Sequence, residues 1–203
     1  MKRVLWDVDT QVDFVRADGK LGVPGAEGAV PAMRRLVEAA RAAGVPHVAS
    51  ADDHELSDAE ISETPDFSTT YPAHCLRGTR GARKIPETEQ EDPVPLGLSE
   101  VPERWLRGRE FLLLKKHFDV FTNPNADRLL RLLDPDEVIV FGVATDVCDD
   151  AAIRGLLDRG RRAVFVDEAS RGLDETRTAA CTTAWRERGV RFAAVDEVVA
   201  SLG

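Results

Sequence analysis

Three side chains placed where apolar runs end could carry nucleophilic chemistry: Asp9, a lysine at 115 or 116, and Cys148. In "GVATDVC" the apolar run gives way to helix-forming sequence, and Thr145 or Asp146 can cap that helix, which puts Cys148 in or near its first turn. Free backbone N–H groups there favour a thiolate and could equally hold an oxyanion formed on an attacked carbonyl. The competing reading is structural, because a cysteine on a helix is often just a small buried hydrophobe.

A second group could hold a metal. Asp52 and His54 are two residues apart at a strand end, so their side chains share one side of the chain while Asp53 points away. His74, from the long segment that follows, offers a second imidazole. One carboxylate and two imidazoles with open positions suit Zn, Fe or Mn as the divalent ion. The same residues also read as a loop histidine and a capping acid. Glu60 and Glu63 are further candidate ligands, although most loop glutamates are simply solvated. Upstream, "LWDVDTQVDF" carries Asp7, Asp9 and Asp13 out of an apolar run. Alternation would turn Asp7, Asp9, Gln11 and Asp13 to one side, a costly arrangement unless cations, hydrogen bonds or shared protons compensate.

The elements that must position these groups alternate. "RVLWDV", "VPHVASAD", "EFLLLKK", "DEVIVFGV", "RRAVFVDE" and "VRFAAVDE" read as strands. "AEGAVPAMRRLVEAARAAG", closed by Gly44, "NPNADRLLRLL", "TDVCDDAAIRGLLDRG" and "DETRTAACTTAWRERG" read as helices. Continuous apolar strands separated by amphipathic helices predict an α/β fold: a three-layer α/β/α sandwich on a mostly parallel sheet of about six strands. Residues 1–203 read as one domain. The irregular stretch at about 52–103 is too long for an idle loop and marks an active-site insertion. In such a sheet, ligands bind beyond the carboxyl ends of the strands.

Composition narrows the partners. A formal charge of −9 and a pI near 5.0 argue against nucleic acid, with no long basic stretch to neutralise phosphates. No apolar run reaches membrane-spanning length, and the acidic N-terminus does not read as a secretory signal. Three widely spaced cysteines, Cys75, Cys148 and Cys181, predict a reducing compartment, the cytoplasm. Cys75 and Cys181 read as packing residues, and Arg77 as surface charge.

The motifs "DTQVDF", "DDH", "YPAHCLRGTRGA", "KKHFDVF" and "GVATDVC" resemble, in order, those of the isochorismatase-like cysteine hydrolases, above all the nicotinamidases. The resemblance spans residues 4 to about 160. It implies a catalytic triad of Asp9, Lys115 and Cys148, with Lys116 the less favoured register. It implies an oxyanion hole from the N–H groups of Ala144 and Cys148, set by a cis bond between Val143 and Ala144. It also implies ring walls at Phe14 and Tyr71, metal ligands at Asp52, His54 and His74, and a homodimer or homotetramer.

The implied activity is a cysteine-dependent amidohydrolase releasing ammonia from a small amide such as nicotinamide, through a thioester. The alternatives are a related cysteine hydrolase of carbamoyl, ureide or lactam substrates, or a non-catalytic binding protein of the same fold. Four departures bear on the substrate. Asp7 and Asp149 stand where relatives are apolar, and Tyr71 stands where tryptophan is usual. Asp53 replaces the tryptophan of "DWH", with no histidine between His54 and His74, so Glu63 or Glu60 would have to supply a further ligand.

Overall fold

The computed structural model describes residues 1–203. Seven strands form one sheet: β1 (Arg3–Val8), β2 (His47–Asp52), β3 (Val94–Leu96), β4 (Glu110–Lys115), β5 (Glu137–Val143), β6 (Arg162–Arg171) and β7 (Arg191–Phe192). Their order is β3-β4-β2-β1-β5-β6-β7, and every neighbouring pair is parallel. Alternate side chains of the central strands enter two separate cores. Leu5, Ile139, Phe141 and Val164 pack under α2 (Ala26–Ala43) and α6 (Val195–Leu202). Val4, Trp6, Val138, Val140 and Phe165 pack under α3 (Ala126–Leu133), α4 (Cys148–Asp158) and α5 (Glu175–Glu187). This is the expected α/β/α sandwich, its central strands buried on both faces.

Three differences from the sequence reading have local causes. The seventh strand is β3, inside the stretch that reads as irregular. It is three residues long and contains Pro95, which lacks an N–H and is tolerated because β3 lies at the sheet edge. "VRFAAVDE" is strand only at Arg191–Phe192. Its second half starts α6, where Val195 and Val198 are buried and the Val195 N–H donates to Glu168. Residues Val12–Val15 form one helical turn, α1, directly after β1. No helix is long and apolar enough to cross a membrane.

The insertion folds back along the carboxyl ends of the strands without regular structure of its own before β3. Asp13 anchors it, accepting from the Cys75 N–H at 2.7 Å and the Lys20 N–H at 3.1 Å. Gln11 joins the layers beneath, donating to Asp52 and Ala82 carbonyls at 2.8 Å each and accepting from the Asp52 N–H at 2.7 Å.

Gly142 sits where β5 delivers the chain to the loop before Cys148, with φ +142°. A Cβ there would lie 2.0 Å from the Val8 carbonyl oxygen of the neighbouring strand. Gly142→Ala is therefore expected to lower stability by about 3 kcal/mol, read as a shift in the urea midpoint at unchanged slope.

Candidate functional site

The ends of β1, β2, β4 and β5 converge on one buried lysine. Lys115, the last residue of β4, is fully buried, with Nζ 2.8 Å from Asp9 Oδ2, paired also with Asp52, and 3.7 Å from Cys148 Sγ. Asp9 follows β1 in the left-handed region (φ 50°), and its partners, Lys115 and Ser50, differ from the Thr10 and Lys84 that Asp7 meets. Asp9 Oδ1 accepts from Ser50 Oγ at 2.7 Å. Lys116 points elsewhere, to Asp58 at 2.8 Å, so the lysine of the site is Lys115.

Burial sets the proton affinities, and Lys115 opposes it. Burial pushes the Cys148 thiol well up; the Lys115 charge pulls it back, while Asp9 and Asp52 push it further up. The resting sulfur is thus a thiol that needs a base beside it. Asp9 is raised too, by burial first, with Lys115 lowering and Asp52 raising it. Burial alone would strip the proton from Lys115, but Asp52 and Asp9 hold its affinity well above the usual range. A protonated lysine between carboxylates and a thiol can steady whichever of them carries the negative charge.

Cys148 is the first residue of α4, and the Val143–Ala144 bond is cis. The helix is capped by Val147, with no side-chain hydrogen bond, rather than by Thr145 or Asp146. Asp146 turns instead to accept from the N–H groups of Leu173 and Asp174. Backbone bonds take the N–H groups of Thr145, Val147 and Asp149, whereas those of Ala144 and Cys148 donate to no backbone carbonyl. Two unused donors beside the Cys148 thiol could receive an oxyanion. Phe14, Tyr71, Leu21, Val23, Val147 and Leu173 line a small cavity together with Ala144 and Cys148. Phe14 and Tyr71 both line it and are buried, and burial pushes the Tyr71 hydroxyl up to about 12.

Four ligand atoms of Asp52, His54, Glu60 and His74 lie within 4.8 Å of one another, and all four residues are buried. His74 Nδ1 lies 2.7 Å from the Pro72 carbonyl, and His54 Nδ1 lies 3.3 Å from Asp58 Oδ2. Both rings thus turn Nε2 toward Asp52, at 3.5 Å and 3.8 Å, and the buried His54 Nε2 has no hydrogen-bond partner. Nitrogens oriented from behind and converging with two carboxylates form a donor set suited to a divalent cation. The fourth member is Glu60. Glu63 is exposed and lies outside the cluster.

The remaining acids of the opening stretch are resolved by their partners. Asp7 accepts from Thr10 Oγ1 at 2.8 Å and Lys84 Nζ at 3.0 Å, with His47 at 3.6 Å. Burial would raise it, but Lys84 and His47 hold it below the ordinary carboxylate range. Asp149 is fully buried, and neither of its carboxyl oxygens has a hydrogen-bond partner. Burial, reinforced by Asp9 and Asp7, pushes its proton affinity well up, directly after Cys148 in the chain. Arg77 is on the surface, paired with Asp53 and Glu55. Cys75 packs in the core and Cys181 is half-buried.

Sequence reasoning missed Ser50 and Asp58. Ser50 could have been found from strand alternation, two residues before Asp52. Asp58, four residues after His54, carried no signal, because its reach depends on how the insertion folds.

A buried thiol, a carboxylate and a lysine at the strand ends of a parallel α/β sandwich define a scaffold for nucleophilic hydrolysis. The isochorismatase domain family matches residues 4–96 and 99–197. The nicotinamidase/pyrazinamidase of Mycobacterium tuberculosis is 31% identical over 189 residues, covering 87% of this chain and 95% of that protein. The N-carbamoylsarcosine amidase of Thermoplasma acidophilum superposes with a TM-score of 0.75 at 25% identity, over 97% of this chain and 98% of that one. The fold is shared with the pyrazinamidase of Pyrococcus horikoshii in complex with zinc, with a TM-score of 0.77 at 21% identity, over 96% and 99% of the chains. The chain belongs to the isochorismatase family. With amidases as its relatives, it is a carbon–nitrogen hydrolase.

Proposed function

We propose that the protein is a cysteine-dependent amidase that releases ammonia from a compact planar amide such as nicotinamide. The observation that carries this reading is the position of Lys115 between Asp9 (2.8 Å) and Cys148 (3.7 Å), beneath a cavity walled by Phe14 and Tyr71. Asp9 takes the thiol proton as sulfur attacks the amide carbonyl carbon, and the N–H groups of Ala144 and Cys148 receive the oxyanion. Asp9 returns that proton to the leaving nitrogen, ammonia departs, and a thioester to Cys148 remains. Water then attacks the thioester with Asp9 as base, giving the free acid and restoring the thiol.

Asp52, His54, Glu60 and His74 would hold a divalent metal, zinc first, with iron or manganese suiting the same donors. When bound, it supplies a Lewis acid that can hold a substrate donor atom or a water. We place the protein in the cytoplasm as a homodimer or homotetramer acting on small molecules, away from membranes and nucleic acids, in keeping with its acidic charge and free cysteines.

The likeness to an N-carbamoylsarcosine amidase favours, as a second reading, a carbamoyl, ureide or lactam substrate. An ammonia-release assay over nicotinamide, pyrazinamide, ureides and carbamoyl compounds separates the two. The expected result is fastest turnover of nicotinamide or pyrazinamide, lost on chelation and regained when zinc is added back. Preferential turnover of a ureide or carbamoyl compound selects the second reading, and activity indifferent to chelation removes the metal from the reaction.

A further inference from the structure

Residues 62–70 form a flap next to Tyr71, a wall of the catalytic cavity, and the flap has its own internal frame. Asp66 accepts from the N–H groups of Ser68, Thr69 and Thr70 at 2.8–2.9 Å and from the hydroxyls of Thr69 and Thr70. Phe67 N–H donates to the Thr70 carbonyl at 3.0 Å. The flap springs from the paired residues Ile61 and Tyr71. Only one hydrogen bond joins residues 62–70 to anything beyond 60–71: Arg177 Nη1 donates to the Phe67 carbonyl at 3.1 Å. The other end of the same guanidinium is fixed, with Nη2 3.0 Å from Asp146 Oδ2. Asp146 is in turn held by the N–H groups of Leu173 and Asp174 and lies on the nucleophile loop, two residues before Cys148.

The flap stands at a boundary. The Phe67 ring meets Tyr71 edge-on at 6.3 Å, and Tyr71 and Val147 wall the catalytic cavity. Tyr71 and Val147 also line a larger polar groove outside, together with Ser68, Asp146, Arg154 and Arg177. One bidentate cation therefore closes the partition between the small cavity at Cys148 and the larger groove outside it.

We propose that Arg177 determines the size of amide the site accepts: by tying the Phe67 carbonyl to Asp146 it keeps Tyr71 over the cavity, admitting compact planar amides and refusing two-ring ones. Arg177 is a positioning residue, acting through Tyr71 and touching no reacting atom. The proposal rests on the reading of Cys148 as the nucleophile, so its test reads access to that sulfur apart from turnover.

Wild type, Arg177→Ala and Arg177→Lys are labelled with iodoacetamide and with N-(1-naphthyl)iodoacetamide, and modification of Cys148 is followed by mass spectrometry. A lysine keeps a cation for Asp146 but lacks the second arm that reaches Phe67. In both variants, naphthyl labelling of Cys148 is expected to rise about ten-fold while the compact reagent's rate stays within about two-fold. Turnover of a two-ring carboxamide is expected to rise relative to pyrazinamide, through KM. Unchanged naphthyl labelling overturns the proposal. An equal rise for both reagents overturns it too, since that reports general loosening. If Arg177→Ala fails to fold, Arg177→Lys is judged by the same criteria. A wild type that hydrolyses no amide defeats the functional reading alone, and the labelling rates still decide the role of Arg177.

Discussion

Cys148→Ala is expected to lower ammonia release by about 10⁴-fold or more, because no other group near the cavity can form the thioester. Cys75 is the only other core cysteine; it packs beneath Asp13 and Gly81, and burial pushes its thiol far up. The stability change should stay within about 1–2 kcal/mol, since alanine removes one sulfur from the cavity edge. The measurement is kcat on the best amide of the panel, beside a urea unfolding curve. Near-normal turnover would end the cysteine mechanism. A collapse in stability comparable to the loss of activity would leave Cys148 a packing residue. The same variant should still bind the substrate, since Phe14, Tyr71 and the metal cluster are untouched.

Lys115→Met is expected to cost both activity and stability. The wild-type ammonium is fully buried and neutralises Asp9 and Asp52 while touching the thiol. Removing one partner of such a group leaves uncompensated buried charge, an effect of about 3–5 kcal/mol. Catalysis should fall by about 10³-fold at neutral pH, because Asp9 without its cation takes up a proton and can no longer accept one from Cys148.

The pH dependence separates this from simple misfolding. Asp9 already titrates above the ordinary carboxylate value in the wild type, and the variant should move the acid limb of kcat/KM further toward neutral pH. The sign for stability follows from linkage. The folded-state affinity of Lys115 is raised, so its contribution is complete below the unfolded value of about 10.4 and fades only as pH climbs through the higher folded one. The Lys115 charge by itself therefore gives a gap that is flat below roughly pH 9, and proton uptake by Asp9 in the folded variant makes the whole gap depend on pH from neutral downward. It should narrow on acidification, as Asp9 in the folded variant gains the proton that relieves its burial. A gap that widens under acid would mean that Lys115 is not the counter-ion of Asp9.

Much of the fold and the site is legible in the residues alone. The apolar runs mark the five long strands and the start of β7, and their spacing by helical sequence implies the parallel sandwich. Asp9, Lys115 and Cys148 stand out because reactive residue types at strand ends are rare and the motifs around them are distinctive. What stays hidden has a physical pattern. β3 is too short to show periodicity and is strand only because β4 offers a free edge. The second half of "VRFAAVDE" looks extended but packs as helix against α2, where burial outweighs local propensity. The capping of α4 departs from expectation because Asp146 has a better use, holding two N–H groups near α5.

The sequence by itself determined the chemistry and its order along the chain: a thiol at a helix start, a carboxylate and an ammonium at strand ends, and imidazoles near an acid. Those are properties of residue type and local periodicity, and they survive without knowing which strand lies beside which. Only the tertiary structure decided between neighbours of the same type. Lys115 rather than Lys116 enters the site because alternation sends one inward and gives the other to Asp58. Glu60 rather than Glu63 joins Asp52, His54 and His74 in the cluster that could hold a metal, because the insertion's path buries one and exposes the other. Asp7 is stabilised by Lys84 and His47, residues 77 and 40 positions away, whose arrival no local pattern could announce. Charge inside a protein is tolerable only where partners converge, and convergence across the sheet is set by the fold.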